Sequence, residues 1–382
     1  MSNKPKIHKY KNQKSLAIKL RDDFKSGDND FVLIYAYNGT GKTRLSMEFK
    51  ERGKKRKDLK TEQKRDTLYF NAFTEDLFHW DNDLDDDNER VLILNKYSRF
   101  FPDIKNLGIE DKIRFFLHRY ADFDFTIDIK KIKNKEIERE IEYWVVSFKR
   151  EVLINDTLQT IEAIKVSRGE ENIFIWCFFL AIVQLAIDEH ESYKWVEYLY
   201  IDDPISSLDD NNAIAVASDL AHLLKEGKEK IKAVISSHHG LFFNVMSNEL
   251  KAQTHKKYFL YRDKDTDGYK LRATDDTPFF HHVAMLDSLQ KASQSDELYT
   301  YHFNIMRNVL EKTSTFFGYK DFSDCLHGLQ DENLYARALN LLSHGKYSIY
   351  EPKEMVDDNK ELFKKILDAF LVKYEFDLPE IH

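Results

Sequence analysis

Residues 31–43 read Phe-Val-Leu-Ile-Tyr-Ala, then Tyr-Asn-Gly-Thr-Gly-Lys-Thr, and they restrict the available folds more than any other stretch. The apolar run 31–36, bounded by Asp30 and Asn38, reads as a buried strand. A helical pattern follows over Arg44 to Glu51. Strand, glycine loop and helix are the setting a phosphate-binding loop needs. The glycines let backbone N–H groups close around the phosphates, and the new helix turns its positive dipole end toward them. Lys42 is placed to reach the β- and γ-phosphates and Thr43 to ligate Mg²⁺. Asn38, Gly39, Thr40, Gly41 and Arg44 complete the expected contacts. The full pattern asks for glycine at 36, where this chain has Ala36.

Three further motifs follow in order. Val166-Ser167-Arg168-Gly169-Glu170-Glu171 stands directly before the long apolar run 173–187. Taken alone it is a helix cap with acids in the first turn. Residues 199–209 (Leu-Tyr-Ile-Asp-Asp-Pro-Ile-Ser-Ser-Leu-Asp) carry a buried strand into two adjacent carboxylates. Asp202 would hold the magnesium and Asp203 would polarise the attacking water; the plain alternative is a strand ending in two surface acids. A helical pattern over 213–224 leads to a second apolar strand, 232–237, which ends at His238, a candidate γ-phosphate sensor.

The ordered set resembles that of ABC-type ATPases. In such proteins two heads sandwich two nucleotides, so the resemblance implies a homodimer or higher homo-oligomer. It also implies that Ser167, Arg168, Gly169 and Glu170 contact the nucleotide of the opposite subunit, and that Asp209 lies in a loop crossing the interface. ATP or GTP with Mg²⁺ is the expected ligand. Asp203 stands where this family usually has Glu, one methylene longer, so slow, switch-like hydrolysis is expected.

Bulk properties narrow the class. A chain of 382 residues has room for two domains. A net charge of −8 gives no global basic field, so any nucleic-acid site is local. The 2 cysteines, Cys177 and Cys325, lie far apart without a CxxC partner, which excludes a zinc hook or disulfide framework and suits a reducing cytoplasm. Met1 to Lys14 is polar and basic with no apolar stretch behind it, so no secretory leader is expected. The run 173–187, with Gln184 inside it, is too short for a membrane span and reads as a core helix. Residues 50–66 are rich in Lys and Arg with interspersed acids and read as a solvated surface, 81–90 as an acidic loop. Charged amphipathic stretches over 104–152, such as 130–144, read as helices. Too few residues separate Lys42 from Ser167 for long coiled-coil arms.

Beyond residue 251 the pattern predicts a hairpin, 257–261 with 268–272, and then helices from about His281. In the amphipathic segment from Tyr299, Arg307 and Glu311 stand at i and i+4, which by itself describes a surface ion pair. His344, before Gly345, reads as a residue at a helix C-terminus.

The segments IYAYNGTGKTRLS, SRGEENIFIWCFFLA and YIDDPISSLDDN, with the RNxxEK and LNLLSHG patterns, together resemble the PrrC-type anticodon nucleases over roughly residues 30–382. The resemblance implies an ABC-type ATPase head that controls a C-terminal, metal-independent ribonuclease. Arg307, Glu311 and His344 match the family's nuclease residues. The implied reaction cleaves a tRNA, typically tRNA-Lys, in its anticodon loop, leaving a 2′,3′-cyclic phosphate and a 5′-hydroxyl. The implied partners are a type I restriction–modification complex that silences the enzyme and a phage-encoded trigger that releases it.

The expected fold is therefore α/β. An ABC-type head with a mixed sheet flanked by helices would span 1–265, with a helical insertion at about 75–165. A mainly α-helical nuclease domain would span 266–382. No membrane association is expected. One observation pulls the other way: residues 291–382 hold 11 Lys and Arg against 16 Asp and Glu, the reverse of a phosphate-backbone binder. The competing reading is an ABC-type ATPase sensor or scaffold that binds a separate effector and has no nuclease activity itself.

Overall fold

The structure is a computed structural model. It describes residues 7–25, 27, 29–54, 65–71, 77–81, 91–95, 108–134, 139–154, 157–204, 210–263, 268–274, 280–329, 331–343 and 354–375. The chain divides into two compact units, Met1–Ala273 and Thr274–His382.

The first unit is built on a seven-stranded sheet of order β1-β12-β11-β2-β10-β9-β3. Its strands are β1 (Ile7–Tyr10), β2 (Phe31–Tyr35), β3 (Thr67–Asn71), β9 (Tyr198–Asp202), β10 (Lys232–Ser237), β11 (His255–Asp263) and β12 (Gly268–Ala273). The five strands β11, β2, β10, β9 and β3 run parallel, while β12 is antiparallel to both β11 and β1. The central strands are covered on both faces, which is why FVLIY and AVI read as unbroken apolar runs instead of alternating. One face packs on α1 (Gln13–Lys25) and α2 (Lys42–Arg52) through Leu16, Leu20, Leu45 and Phe49 against Val32, Ile34, Tyr200 and Val234. On the other face lie α4 (Arg168–Ile187), α5 (Asp210–Gly227) and α6 (Gly240–Glu249). There Tyr35 meets Phe243 at 5.7 Å and Phe70 meets Phe179 at 4.4 Å between ring centroids.

The boundary after Ala273 differs from the one expected at 265. A cut at 265 would separate β12 from both strands that hold its hydrogen bonds. The helical insertion is also corrected. Among the described residues there, α3 (Ile109–Leu117) is the one helix, and the strands form a second sheet, order β4-β5-β7-β6 with β8 on β7. Its strands are β4 (Phe78–Asp81), β5 (Val91–Leu94), β6 (Phe123–Asn134), β7 (Arg139–Ile154) and β8 (Thr157–Ile161). The stretch read as helix is the β6–β7 hairpin. Phe123, Phe125, Ile127 and Ile129 alternate with Asp124, Thr126 and Asp128, a period of two that the density of charge disguised.

Between the two sheets lies α4. Phe174 contacts Phe125 at 5.0 Å and Phe148 at 5.1 Å, and Trp176 contacts Phe70 at 5.3 Å. A helix with neighbours all round needs no polar face, so the run 173–187 is apolar without periodicity.

The second unit is helical: α7 (Phe280–Gln294), α8 (Tyr301–Phe317), a 3-10 turn (Phe322–Leu326), α9 (Glu332–Ser343) and α10 (Asp357–Tyr374). Its core gathers Leu289, Met306, Leu310, Leu339, Phe363 and Leu367.

Candidate nucleotide and nuclease sites

Parallel register brings the phosphate-loop site together. In the sheet Ser236 lies beside Ile34 on one side and Asp202 on the other, and Ser237 lies beside Tyr35. The carboxyl ends of β2, β10 and β9 therefore finish level, at the edge where α/β sheets hold their ligands. The loops leaving those ends carry Lys42, Asp203 and His238.

The loop after β2 turns on Gly39 (φ 79°) and Gly41 (φ 99°), in the left-handed region that favours glycine. A Cβ on Gly41 would also stand 2.5 Å from Gln13 Nε2, which donates to the Gly41 carbonyl at 3.1 Å. Gly41 precedes α2 without any side-chain cap. The first turn of α2 thus keeps donors for an anion. Lys42 is only 5% exposed, and its ammonium lies inside the loop. It donates to the carbonyls of Ala36 at 3.1 Å and Tyr37 at 3.3 Å, and to Asn38 Oδ1 at 3.4 Å. Position 36 contributes its carbonyl, and Ala36 is not among the described non-glycine residues with positive φ, so alanine serves there. Thr40 is buried, while Thr43 and Arg44 are exposed.

Asp202 is 3% exposed. Its Oδ1 accepts from Ser236 Oγ at 2.7 Å, and Thr43 donates to it as well. Burial holds this carboxyl above its ordinary range, against the pull of those two hydroxyls. Asp203 has the opposite balance. Burial pushes it up, but the His238 hydrogen bond and the Lys42 charge outweigh that and keep it below the ordinary range. His238 donates its backbone N–H to Asp203 Oδ1 at 2.8 Å, and His238 Nδ1 lies 2.8 Å from the same oxygen. Lys42 Nζ lies 3.0 Å from Oδ2. Asp203 itself adopts a left-handed backbone, φ 49°.

This donor set suits a magnesium nucleotide. A hard cation takes oxygen ligands, and the Thr43 hydroxyl and Asp202 carboxylate already touch. A phosphate would find Lys42 and an uncapped helix start on its other side.

Ser167 caps α4 in a closed capping box. Its Oγ accepts from Glu170 N at 3.3 Å, and its own N–H donates to Glu170 Oε2 at 2.7 Å. Arg150, on β7, reaches Glu170 at 2.5 Å and Asp122 at 3.0 Å. Ser167 and Arg168 are exposed and Gly169 is half-buried. Among the described residues, the side-chain hydrogen bonds of Ser167 and Glu170 run to each other's backbone and to Arg150. Asp209 and the serines before it lie outside the described residues, as do most of 50–66 and 81–90.

In the second unit Arg307 Nε and Glu311 Oε1 pair at 2.8 Å on α8, their side chains 21% and 46% exposed. The guanidinium also lies 4.9 Å from the centroid of the Phe322 ring. His344, directly after α9, is outside the described residues.

Sequence reasoning missed Ser236, Gln13 and Arg150. Ser236 was within reach, since it stands two residues before His238. Its partner, however, is set by strand register, which no local pattern reveals.

The family model described as an AAA domain matches residues 152–371. An anticodon nuclease of Escherichia coli is 32% identical over 359 residues, covering 88% of this chain and 87% of that protein. The chain belongs to the anticodon nuclease family. An uncharacterized protein of Staphylococcus aureus, CR006 of a chromosomal cassette SCCmec type IVc, is 30% identical over 160 residues, 40% of this chain and 22% of its own length. Among solved structures, an SMC head domain from Thermotoga maritima aligns over 63% of this chain and 89% of that one, with 11% identity and a TM-score of 0.28. Family membership and the AAA match together place an ATPase-type domain in a chain of the anticodon nuclease family. The AAA match takes in Ser167, Asp202, Asp203, His238, Arg307, Glu311 and His344, and begins well after the Lys42 loop.

Proposed function

We propose that the chain is a nucleotide-gated, metal-independent endoribonuclease acting on the anticodon loop of a tRNA, typically tRNA-Lys. Family membership supports the reaction class. The observation that carries the gating is the convergence of Lys42, Asp202, Asp203 and His238 at one sheet edge.

Bound nucleotide and Mg²⁺ supply the phosphoanhydride and the charge that neutralises its leaving group. The chain's own residues do the rest. Lys42 exchanges Asp203 and the loop carbonyls for phosphate oxygens. Thr43 and Asp202 hold the cation. Asp203 would orient the water, and His238, which holds the Asp203 carboxylate, would sense the γ-phosphate. The His238 hydrogen bond favours the ionised Asp203, which makes it a weak base, and Asp is shorter than the usual Glu, so turnover is slow. Ser167, Arg168, Gly169, Glu170 and Asp209 act on the nucleotide of a second copy, which makes the working form a dimer or higher homo-oligomer. ATP and GTP both fit this loop chemistry.

At the nuclease site the ribose 2′-OH loses its proton, its oxygen attacks the adjacent phosphorus, and the 5′-oxygen leaves with a proton. The products are a 2′,3′-cyclic phosphate and a 5′-hydroxyl. Arg307 stabilises the phosphorane charge, and Glu311 and His344 share the base and acid roles. The setting is cytoplasmic antiphage defence, with a type I restriction–modification complex as silencer and a phage product as trigger.

The deciding experiment expresses wild type beside Glu311→Ala and His344→Ala and probes for tRNA fragments ending in a 2′,3′-cyclic phosphate. Wild type yields them and both variants do not. A wild type that turns over nucleotide yet never cuts tRNA, under any nucleotide, leaves the sensor reading instead.

A further inference from the structure

The end of α8 exposes aromatic rings that the core of the second unit does not use. Phe316 is 85% exposed, Phe317 49% and Tyr319 40%. Soluble surfaces seldom gather large rings without a partner. These are also fixed in place. Phe317 and Tyr319 stack with centroids 5.6 Å apart and planes 18° apart, and Tyr374 of α10 lies 5.4 Å from Phe317. The Tyr374 hydroxyl donates to the Cys325 carbonyl at 3.1 Å and is hydrogen-bonded to Tyr319. The Tyr319 N–H returns to the Ser314 carbonyl at 2.8 Å. The Lys373 ammonium lies 5.3 Å from the Tyr374 ring centroid, and Lys312 and Lys320 are exposed on the same segment.

The shelf and the Arg307–Glu311 pair share α8 and the turn that follows it. Phe317 follows Glu311 by six residues on one helix, about 9 Å along its axis and about 120° around it. The axial offset is the length of two or three stacked nucleotides at about 3.4 Å each. The chain leaving Tyr319 returns along α8 to place Phe322 beneath the Arg307 guanidinium.

We propose that Phe317, Tyr319 and Tyr374 form a stacking shelf for unpaired nucleobases of the RNA whose scissile phosphate lies at Arg307 and Glu311. The inference rests on the nuclease reading. Every base has a face to stack, so the shelf holds an open loop in place, and a paired stem, whose bases are already stacked, gains nothing from it. It also explains how a region poor in net positive charge holds RNA. Affinity comes from stacking, with Lys312, Lys320 and Lys373 supplying local charge.

The test measures binding and cleavage of a stem-loop RNA with an open loop, beside a fully paired RNA of equal length. The proteins are full-length wild type, Phe317→Ala, Tyr319→Ala and the aromatic replacements Phe317→Tyr and Tyr319→Phe. Each alanine variant should weaken loop binding about 10-fold and raise KM with kcat nearly unchanged. The aromatic variants should restore affinity, and nucleotide turnover should not move. Unaltered loop affinity in both alanine variants overturns the shelf, as does equal weakening for paired RNA. So does altered self-association with RNA binding intact, which makes the patch a protein interface. Wild type that binds the loop but never cuts it refutes the nuclease reading alone, because the binding measurement still judges the shelf.

Discussion

Asp203 meets three demands at once. Its backbone is left-handed, its carboxylate bridges Lys42 and His238, and its ionised form is favoured despite burial. Asn tolerates the left-handed region as well as Asp does, so Asp203→Asn removes charge and little else. Phosphate release should fall about 10²- to 10⁴-fold while nucleotide still binds. Lys42→Ala should instead abolish binding, and retained tight binding by calorimetry would reject the loop assignment. Asp202 offers a pH test. Its folded pKa is raised, so burial of its charge costs stability once it ionises. Below its unfolded value, about 3.9, both states are neutral and the penalty is absent. The penalty grows as pH rises and is complete above the folded pKa. Nucleotide-free Asp202→Asn should therefore melt higher than wild type at pH 7, and the gain should vanish in acid. Asp203 has the opposite sign. Its stabilisation is present above the unfolded value and is lost as pH falls through the lower folded one.

At the scale of elements, α2 shows how the loop is anchored from behind. Arg21 of α1 binds Asp66 at 2.8 and 3.0 Å and the Phe49 carbonyl at 2.8 and 3.1 Å, all buried. Gly53, just after α2, leaves the room: a Cβ there would stand 1.7 Å from Asp66 Oδ1 and 2.7 Å from Arg21 Nη2. Gly53 has an ordinary φ of −77°, so the constraint is space and not backbone. Gly53→Ala should cost about 3–5 kcal/mol in urea unfolding, the scale of breaking a buried ion pair. Ser167→Ala removes the α4 cap and should cost only about 1 kcal/mol, so a large loss of turnover in that variant reports its role at a neighbouring nucleotide. The elements also mark where local reading failed. β6 and β7 are long and heavily charged, and their alternation emerges only over the positions that face α4.

Across the whole molecule the test of paired heads is complementation. Lys42→Ala keeps a sound Ser167, and a Ser167→Arg variant keeps a sound Lys42. If each Ser167 serves the nucleotide of the other copy, two inactive variants mixed should recover about one quarter of wild-type turnover, since a two-fold heterodimer rebuilds one of its two sites. No recovery on mixing, with heterodimers verified, rejects action across the interface. The AAA match, over 152–371, runs through both compact units. The two were thus recognisable as one family although each has its own core.

What residue order alone established was local: a strand-loop-helix around Lys42, an apolar core helix behind Ser167, two acids ending one strand and a histidine ending another. Those features depend on neighbours within a few positions, and propensity and periodicity carry them. The tertiary structure decided everything that joins distant segments. β10 lies between β2 and β9, so Ser236 binds Asp202 and His238 binds Asp203, while Lys42 crosses to the same carboxylate. Arg150 reaches Glu170 only because the insertion is a sheet. Strand order and register are set by burying whole faces against helices far along the chain, an energy no short window contains.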